Sequence, residues 1–243
     1  TVSTDISPDS AMVVNGFSDG TMLLLRASDL TVVAEKKASH TFNSLAFSPD
    51  GTTIMSCGTG NAIKFWDAAN LNFVKEKANA HFNQFWQRHT PTVTSCAFSP
   101  DGTKIASSAF VPGIQYPDIQ VWDATTFDVL ALRPYAHQKE TYSLHFSPDG
   151  ESLVSASEDT SISLWATASL TLFEERPYAH EDKTLEAAYF SPDGKTIVSA
   201  SKDQTIKLWD VTAYTRATMR VNAHTILVNS IDVSTDGKTI VTG

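Results

Sequence analysis

The tetrad Ser-Pro-Asp-Gly occurs at 48–51, 99–102, 147–150 and 191–194, with degenerate copies at 7–10 (Ser-Pro-Asp-Ser) and 234–237 (Ser-Thr-Asp-Gly). The spacings are 41, 51, 48, 44 and 43 residues. Proline presets φ and glycine takes a positive φ, so each copy reads as a tight turn. Apolar stretches flank the turns. Ser44-Leu45-Ala46-Phe47 and Ser143-Leu144-His145-Phe146 come before, and Thr53-Ile54-Met55 and Thr196-Ile197-Val198 come after. The pattern predicts a strand–turn–strand hairpin six times over. A period of this size belongs to a chain assembled from one repeating supersecondary unit.

Two further landmarks keep the same spacing. Phe65-Trp66-Asp67, Val121-Trp122-Asp123, Leu164-Trp165-Ala166 and Leu208-Trp209-Asp210 each close an alternating stretch that reads as a third strand. In the first unit, Leu24-Leu25-Arg26 stands there instead. A fourth strand follows at Thr31-Val32-Val33, Phe73-Val74, Asp128-Val129-Leu130 and Leu172-Phe173. A small residue and a histidine then close the units: Ser39-His40, Ala80-His81, Ala136-His137, Ala179-His180 and Ala223-His224.

Six turns, four tryptophans and five histidines in one repeating frame resemble the WD-repeat family of β-propellers. The resemblance covers essentially the whole chain. It implies an all-β fold of four-stranded antiparallel blades, each shielding its neighbours' faces. The blades are expected at about 1–38, 42–77, 92–132, 141–175 and 184–220, with half of a sixth at 226–243. Rings of this family most often have seven blades, so the chain is expected to be an incomplete single propeller. At about 43 residues per blade, roughly 60 residues would be missing.

The resemblance also implies a buried hydrogen-bonded chain in each blade. It joins the histidine before the first strand, a serine in the second, an aspartate in the following turn and the tryptophan of the third. The fourth unit supplies His137, Ser155, Asp159 and Trp165, and the fifth supplies His180, Ser199, Asp203 and Trp209. The second has His40, Ser56 and Trp66, but Gly60 in place of aspartate. The third has Ser107 and Trp122, no aspartate six residues before the tryptophan, and either His81 or His89. The first has Asp19, with Leu25 for tryptophan.

A serine, histidine and aspartate together invite a hydrolase reading. These sets recur at repeat spacing, which a frame demands and a single active site does not. Catalysis also needs an exposed nucleophile and an oxyanion hole, and no Gly-x-Ser-x-Gly elbow occurs. No enzymatic activity is therefore expected of the chain. No histidines stand at a metal-binding spacing, and Cys57 and Cys96 fall in strands, where buried free thiols are the ordinary outcome. Neither cofactor nor metal is expected. Lys plus Arg is 18 and Asp plus Glu is 27, a net charge of −9, with no basic cluster. Such a surface repels phosphate, so nucleic acid is not an expected partner. No apolar run approaches the roughly 20 residues of a membrane helix. With no visible signal peptide, a cytoplasmic setting is expected.

The departures from the repeat carry the functional signal. The longest spacing, 51, carries about eight extra residues over the repeat of about 43, and the 48 spacing about five. The first insertion is 82–89, before the third blade, and contains Phe82, Phe85 and Trp86. The second falls within 110–117, between that blade's second and third strands, and contains Phe110, Ile114 and Tyr116. In a propeller both loops emerge on one face. Aromatic side chains in loops are costly to leave wet and serve as interface anchors. They contact a partner, cap the blade's own core, or are neutral insertions of the kind loops tolerate. The expected role is a non-catalytic scaffold docking a protein or peptide on this face, within a multi-protein complex. The alternatives are a structural subunit of a large cytoskeletal or ciliary assembly, and a hydrolase or a propeller domain attached to an enzyme.

Overall fold

The computed structural model describes residues 3–81, 90–111, 113–181, 185–212, 216–220, 231–233 and 239–242. Among them are twenty-two strands and no helix. Five four-stranded antiparallel sheets follow one another, each a meander with its strands in chain order. The first is β1 (Ser3–Ile6), β2 (Met12–Gly16), β3 (Thr21–Arg26) and β4 (Val32–Lys37). The second is β5 (Phe42–Phe47), β6 (Thr53–Gly58), β7 (Ala62–Asp67) and β8 (Phe73–Ala78). The third is β9 (Thr92–Phe98), β10 (Lys104–Val111), β11 (Ile114–Asp123) and β12 (Val129–Arg133). The fourth is β13 (Thr141–Phe146), β14 (Ser152–Ser157), β15 (Ile162–Ala166) and β16 (Leu172–Arg176). The fifth is β17 (Leu185–Phe190), β18 (Thr196–Ser201), β19 (Ile206–Asp210) and β20 (Arg216–Arg220). A two-stranded sheet, β21 (Ile231–Val233) and β22 (Ile240–Thr242), follows. The chain divides into two compact units, 1–114 with 123–128, and 115–122 with 129–243.

The tetrads are the turns between first and second strands, and each residue has a task. Ser48 donates its hydroxyl proton to Asp50 (2.6 Å), while its Oγ accepts the N–H of Thr53 (3.0 Å). Asp50 accepts the N–H of Thr52 (3.0 Å), and Gly51, at φ 71°, donates to the Ser48 carbonyl (2.8 Å). The same bonds recur around Ser99 and Asp101, whose carboxyl is held down to about 2 by the Ser99 hydroxyl and the Thr103 N–H. In the degenerate first copy Ser10 stands where glycine does elsewhere and is forced to φ 59°.

Burial follows position in the sheet. The second strands β6, β14 and β18 are buried along nearly their whole length, whereas β4 and β8 alternate between half-buried and exposed. The central strands are covered on both faces because the cores are shared between sheets. In the first unit Val14, Met22 and Leu24 of the first sheet pack with Phe42, Leu45, Phe47, Ile54 and Trp66 of the second. In the second unit Val154, Ala156, Ile162 and Leu164 pack with Leu185, Ala188, Phe190, Ile197 and Trp209. Each large side chain so buried contributes about 1.5–3 kcal/mol.

The first strand of a sheet has one open ladder edge, and at β5, β9 and β17 side chains of the preceding sheet bond to it. In the first unit Leu45 N–H donates to Ser3 Oγ (2.9 Å) and Phe47 N–H to Asp5 Oδ2 (2.6 Å). Asn43 Nδ2 donates to the Val93 carbonyl (3.0 Å) and Ser44 Oγ to that of Cys96 (3.3 Å). In the second unit Ser143 donates to the Ala188 carbonyl (3.4 Å), and Phe190 N–H donates to His145 Nδ1 (3.2 Å).

One expectation is corrected here. Phe110, Ile114 and Tyr116 are not in a loop, because the insertion lengthens two strands instead of forming a coil. β10 runs to Val111 and β11 starts at Ile114, with Gly113 at φ 83° in the turn. Gly113 supplies the left-handed conformation that lets the chain reverse at once. Phe110 pairs with Thr92 of β9 and is half-buried. A register shift at Ser108/Ala109 takes up the irregularity.

His145 makes the sheet-to-sheet contact sensitive to acid. Its ring packs on Tyr189 (4.9 Å between centroids), and burial pushes its pKa from 6.5 down to about 4. The neutral ring is the form that accepts from Phe190. Unfolding therefore takes up a proton between these values, so the stability His145 contributes is complete above pH 6.5 and lost as pH falls towards 4. His40, lowered to about 4 by burial and by Lys64, acts in the same direction. The melting temperature is expected to fall between pH 7 and pH 5. His145→Asn, whose amide oxygen accepts without titrating, should show a smaller fall; an equal one would place the acid sensitivity elsewhere.

Candidate functional site

The side chains with the most chemistry lie inside the sheets. In the fourth sheet Trp165 Nε1 donates to Ser155 Oγ (2.8 Å), and Ser155 lies 2.6 Å from His137 Nε2. His137 Nδ1 is 3.3 Å from Asp159 Oδ2 and 2.9 Å from Ser161 Oγ. In the fifth, Trp209 Nε1 donates to Ser199 Oγ (2.8 Å), and Ser199 lies 2.7 Å from His180 Nε2. His180 Nδ1 is 3.1 Å from Asp203 Oδ2 and 2.8 Å from Thr205 Oγ1. An indole N–H only donates, so the serine oxygen accepts it and passes its own proton to Nε2. That leaves Nδ1 protonated and facing the carboxylate. Burial raises the Asp159 and Asp203 carboxyls, but bonds from the histidines outweigh it and both end well below the usual range. Backbone N–H groups of Gln138 and Glu181 add to this (2.8 and 3.1 Å).

The second sheet has a shorter chain. Trp66 Nε1 donates to Ser56 (2.8 Å), yet Ser56 lies 3.4 Å from His40 Nε2. His40 Nδ1 is buried and has no hydrogen-bond partner among the described residues. Gly60 offers no carboxylate, and the next residue works in another direction. Asn61, at φ 52°, bonds both the N–H and the carbonyl of His81 through its side chain (2.8 Å each). His81 in turn reaches Ser107 Oγ (2.8 Å) and is fully buried, so it holds the histidine position of the third sheet. His89 lies outside the described residues. In the first sheet Asp19 is at the surface, paired with Lys37 (2.7 Å) and Thr21, and Leu25 is buried in the tryptophan position.

This arrangement does not suit catalysis. Ser155 and Ser199 are 0% exposed, and each hydroxyl is engaged by an indole and an imidazole. A substrate carbonyl has no path to either oxygen. Among the described residues no group of three or more His, Cys, Asp or Glu could hold a metal ion. Cys57 and Cys96 are buried free thiols, and burial together with Cys96 pushes the Cys57 thiol up. No helix among the described residues is long and apolar enough to cross a membrane.

The surface candidates are distributed differently. Phe82, Phe85 and Trp86 lie outside the described residues, as do the side chains of Ile114 and Tyr116. Phe110 is held in β10. Two exposed aromatics escaped the sequence reading: Tyr135, 66% exposed, and Tyr178, 85% exposed. Their signal is a repeated Arg-Pro-Tyr-Ala-His at 133–137 and 176–180, visible once the histidines are aligned.

Two outcomes test the internal chains. Ser155→Ala strands the Trp165 N–H and His137 Nε2 together, so it should cost about 2–6 kcal/mol in a denaturant melt, at about 1–3 per buried group. A loss below about 0.5 kcal/mol would mean that these bonds do not hold the sheet. The indole N–H of Trp66 should exchange with solvent faster than those of Trp165 and Trp209, because its chain ends at His40. Proton NMR in deuterium oxide gives the order, and a slowest-exchanging Trp66 would contradict it.

Comparison with known proteins places this geometry. A model of the "WD domain, G-beta repeat" family matches residues 33–67, 81–110, 130–166 and 174–210, more than half of the chain. The third-sheet match stops at 110, where the lengthened hairpin begins. An Arabidopsis thaliana "WD repeat-containing protein WDS homolog" is 27% identical over 66% of this chain and 32% of its own length. A rice (Oryza sativa subsp. japonica) "Chromatin assembly factor 1 subunit FAS2 homolog" is 30% identical over 50% of this chain and 24% of its own. The rice "Pre-mRNA-processing factor 19" is 26% identical over 56% and 23%. The chain thus spans about a third or less of the length of these relatives. Four matched repeats, successive four-stranded meanders and buried tryptophan–serine–histidine chains lead to one conclusion: the chain belongs to the WD-repeat family of β-propellers.

Proposed function

We propose that this chain is a non-catalytic interaction scaffold that docks a protein or peptide on the loop face of its third blade. The observation that carries the reading is the lengthened hairpin. β10 and β11 have eight and ten residues, where their counterparts in the other four-stranded sheets have five or six. The following loop is pinned to it, with Ala136 N–H donating to the Pro117 carbonyl (3.0 Å). A lengthened hairpin on a repeating frame suits a recognition element, since binding residues concentrate where a scaffold departs from its regular form. The aromatic insertion 82–89 enters the same blade. Relatives named for a chromatin assembly factor and a pre-mRNA-processing factor fit membership of a multi-protein complex. A cytoplasmic or nuclear setting suits that role. The buried serines favour a scaffold over a hydrolase.

The test is quantitative capture from cell extract with two double variants, Ile114→Ser with Tyr116→Ser and Phe85→Ser with Trp86→Ser. Both should lose the proteins that the wild type retains, while melting within a few degrees of it. A buried aromatic anchor carries about 2 kcal/mol or more, which is sufficient for that loss. A collapsed melt would mean that the residues cap the blade's own core. Unchanged capture would remove docking from this blade.

A further inference from the structure

Cys57 and Cys96 are the only cysteines of the chain, and the fold brings them together. Cys57 of β6 pairs with Ser44 of β5. Ser44 Oγ reaches the next sheet and donates to the Cys96 carbonyl of β9 (3.3 Å). The other repeats show how side chains at these two positions meet. In the fourth and fifth sheets the positions hold Ala156 and Ala188. Ala156 pairs with Ser143, whose Oγ donates to the Ala188 carbonyl (3.4 Å), and the two alanines share one core. In the first and second sheets they hold Gly16 and Leu45. Gly16 lies three residues past the partner of Leu25, as Cys57 lies past the partner of Trp66. Leu45 pairs with Ser56, as Cys96 pairs with Ser107. A Cβ added at Gly16 would stand 2.7 Å from Leu45 Cδ1.

The two thiols accordingly meet between the second and third sheets, within hydrogen-bonding reach of each other. The residues are 0% and 4% exposed. Burial, and after it the contact with Cys96, pushes the Cys57 thiol up, while the N–H and hydroxyl of Ser44 draw it down. The backbones of β6 and β9 approach within 8 Å between Cα atoms. A disulfide spans Cα separations up to roughly 7 Å, so a small shift suffices to join the sulfurs. An alanine pair fills the same place in the fourth and fifth sheets, so packing alone does not call for sulfur here.

We propose that Cys57 and Cys96 form an oxidation site, at which a peroxide converts the two thiols into a disulfide that clamps the second sheet to the third. One sulfur takes an oxygen from hydrogen peroxide and becomes a sulfenic acid, and one water forms. The other sulfur gives up its proton and attacks the first. The S–S bond forms as the S–O bond breaks, and a second water leaves. The peroxide thus accepts two electrons, and both thiol protons end in water. Burial slows the reaction and restricts it to small oxidants, and an external dithiol reverses it by exchange. The disulfide closes a loop of chain that contains β7, β8 and the insertion 82–89. A closed loop of that length removes much of the freedom of the unfolded chain. The clamp goes beyond the scaffold reading and does not depend on what the third blade docks.

The test treats the full chain with hydrogen peroxide and follows intact mass, thiol titration and peptide mapping without reductant. The expected product is lighter by two hydrogens, has no titratable thiol after denaturation, and gives one linked peptide pair joining Cys57 to Cys96 within a chain. Its melting temperature should rise by about 5 °C or more and return when dithiothreitol is added. Cys96→Ala, which installs the residue found at Ala188, should lose both the cross-link and the rise. Should that variant fail to fold, the map and melt of the wild type still decide. Oxygen added to each sulfur separately, a disulfide between two copies, or two thiols that survive the treatment would overturn the proposal. So would a cross-linked chain that melts no higher than the reduced one, since the bond would then clamp nothing.

Discussion

A four-stranded sheet that is apolar on both faces cannot stand alone in water, and most features of this molecule follow from that. The second and third strands must be covered twice, so each core is built from two successive sheets, as where Met22 and Leu24 meet Phe42 and Trp66. Stacking brings first strands together with their ladder edges open. Short polar side chains then close the edges from the neighbouring sheet, as Ser3 and Asp5 do for Leu45 and Phe47. Fourth strands lie at the edges of their sheets, and β4 and β8 carry consecutive charges, Glu35-Lys36-Lys37 and Lys75-Glu76-Lys77, which discourages pairing with other chains.

Inside that frame the polar chains have a direction. The tryptophan starts each one as an obligate donor and the aspartate ends it as an obligate acceptor, so every proton between them is placed. Where the aspartate is absent the end is lost, and His40 Nδ1 is buried without a hydrogen-bond partner among the described residues. The second blade spends its turn residue on another bond, with Asn61 gripping the backbone of His81 and so tying this turn to the next histidine. One repeat thus exchanges internal order for a link to its neighbour. A family pattern that treats all repeats alike does not reveal this.

The repeats also depart from their common frame at particular positions. The lengthened hairpin adds backbone without disturbing the pairing of β9 with β10 beyond one shift. Tyr135 and Tyr178 add exposed aromatic surface at the place that Asn79 takes before His81. Both are departures from what the repeating frame requires, whereas the buried serines serve that frame.

Turn chemistry and spacing were enough to read the strand order and the all-β class, because Pro-Asp-Gly and the tryptophan periodicity are local signals that tertiary packing does not override. The sequence also showed which internal chains have all four residue types. It did not show that 110–117 continues as strand, since a Pro-Gly pair between apolar residues fits both a loop and a tight reversal, and only pairing decides between them. Nor did it choose between His81 and His89, because the choice rests on a contact with Ser107 across 26 residues of chain. The conformation of Tyr178 and the ties made by Asn43, Ser44 and His145 were likewise out of reach. Each depends on where another sheet or loop comes to lie, and the packing of whole sheets sets that position, not the order of neighbouring residues.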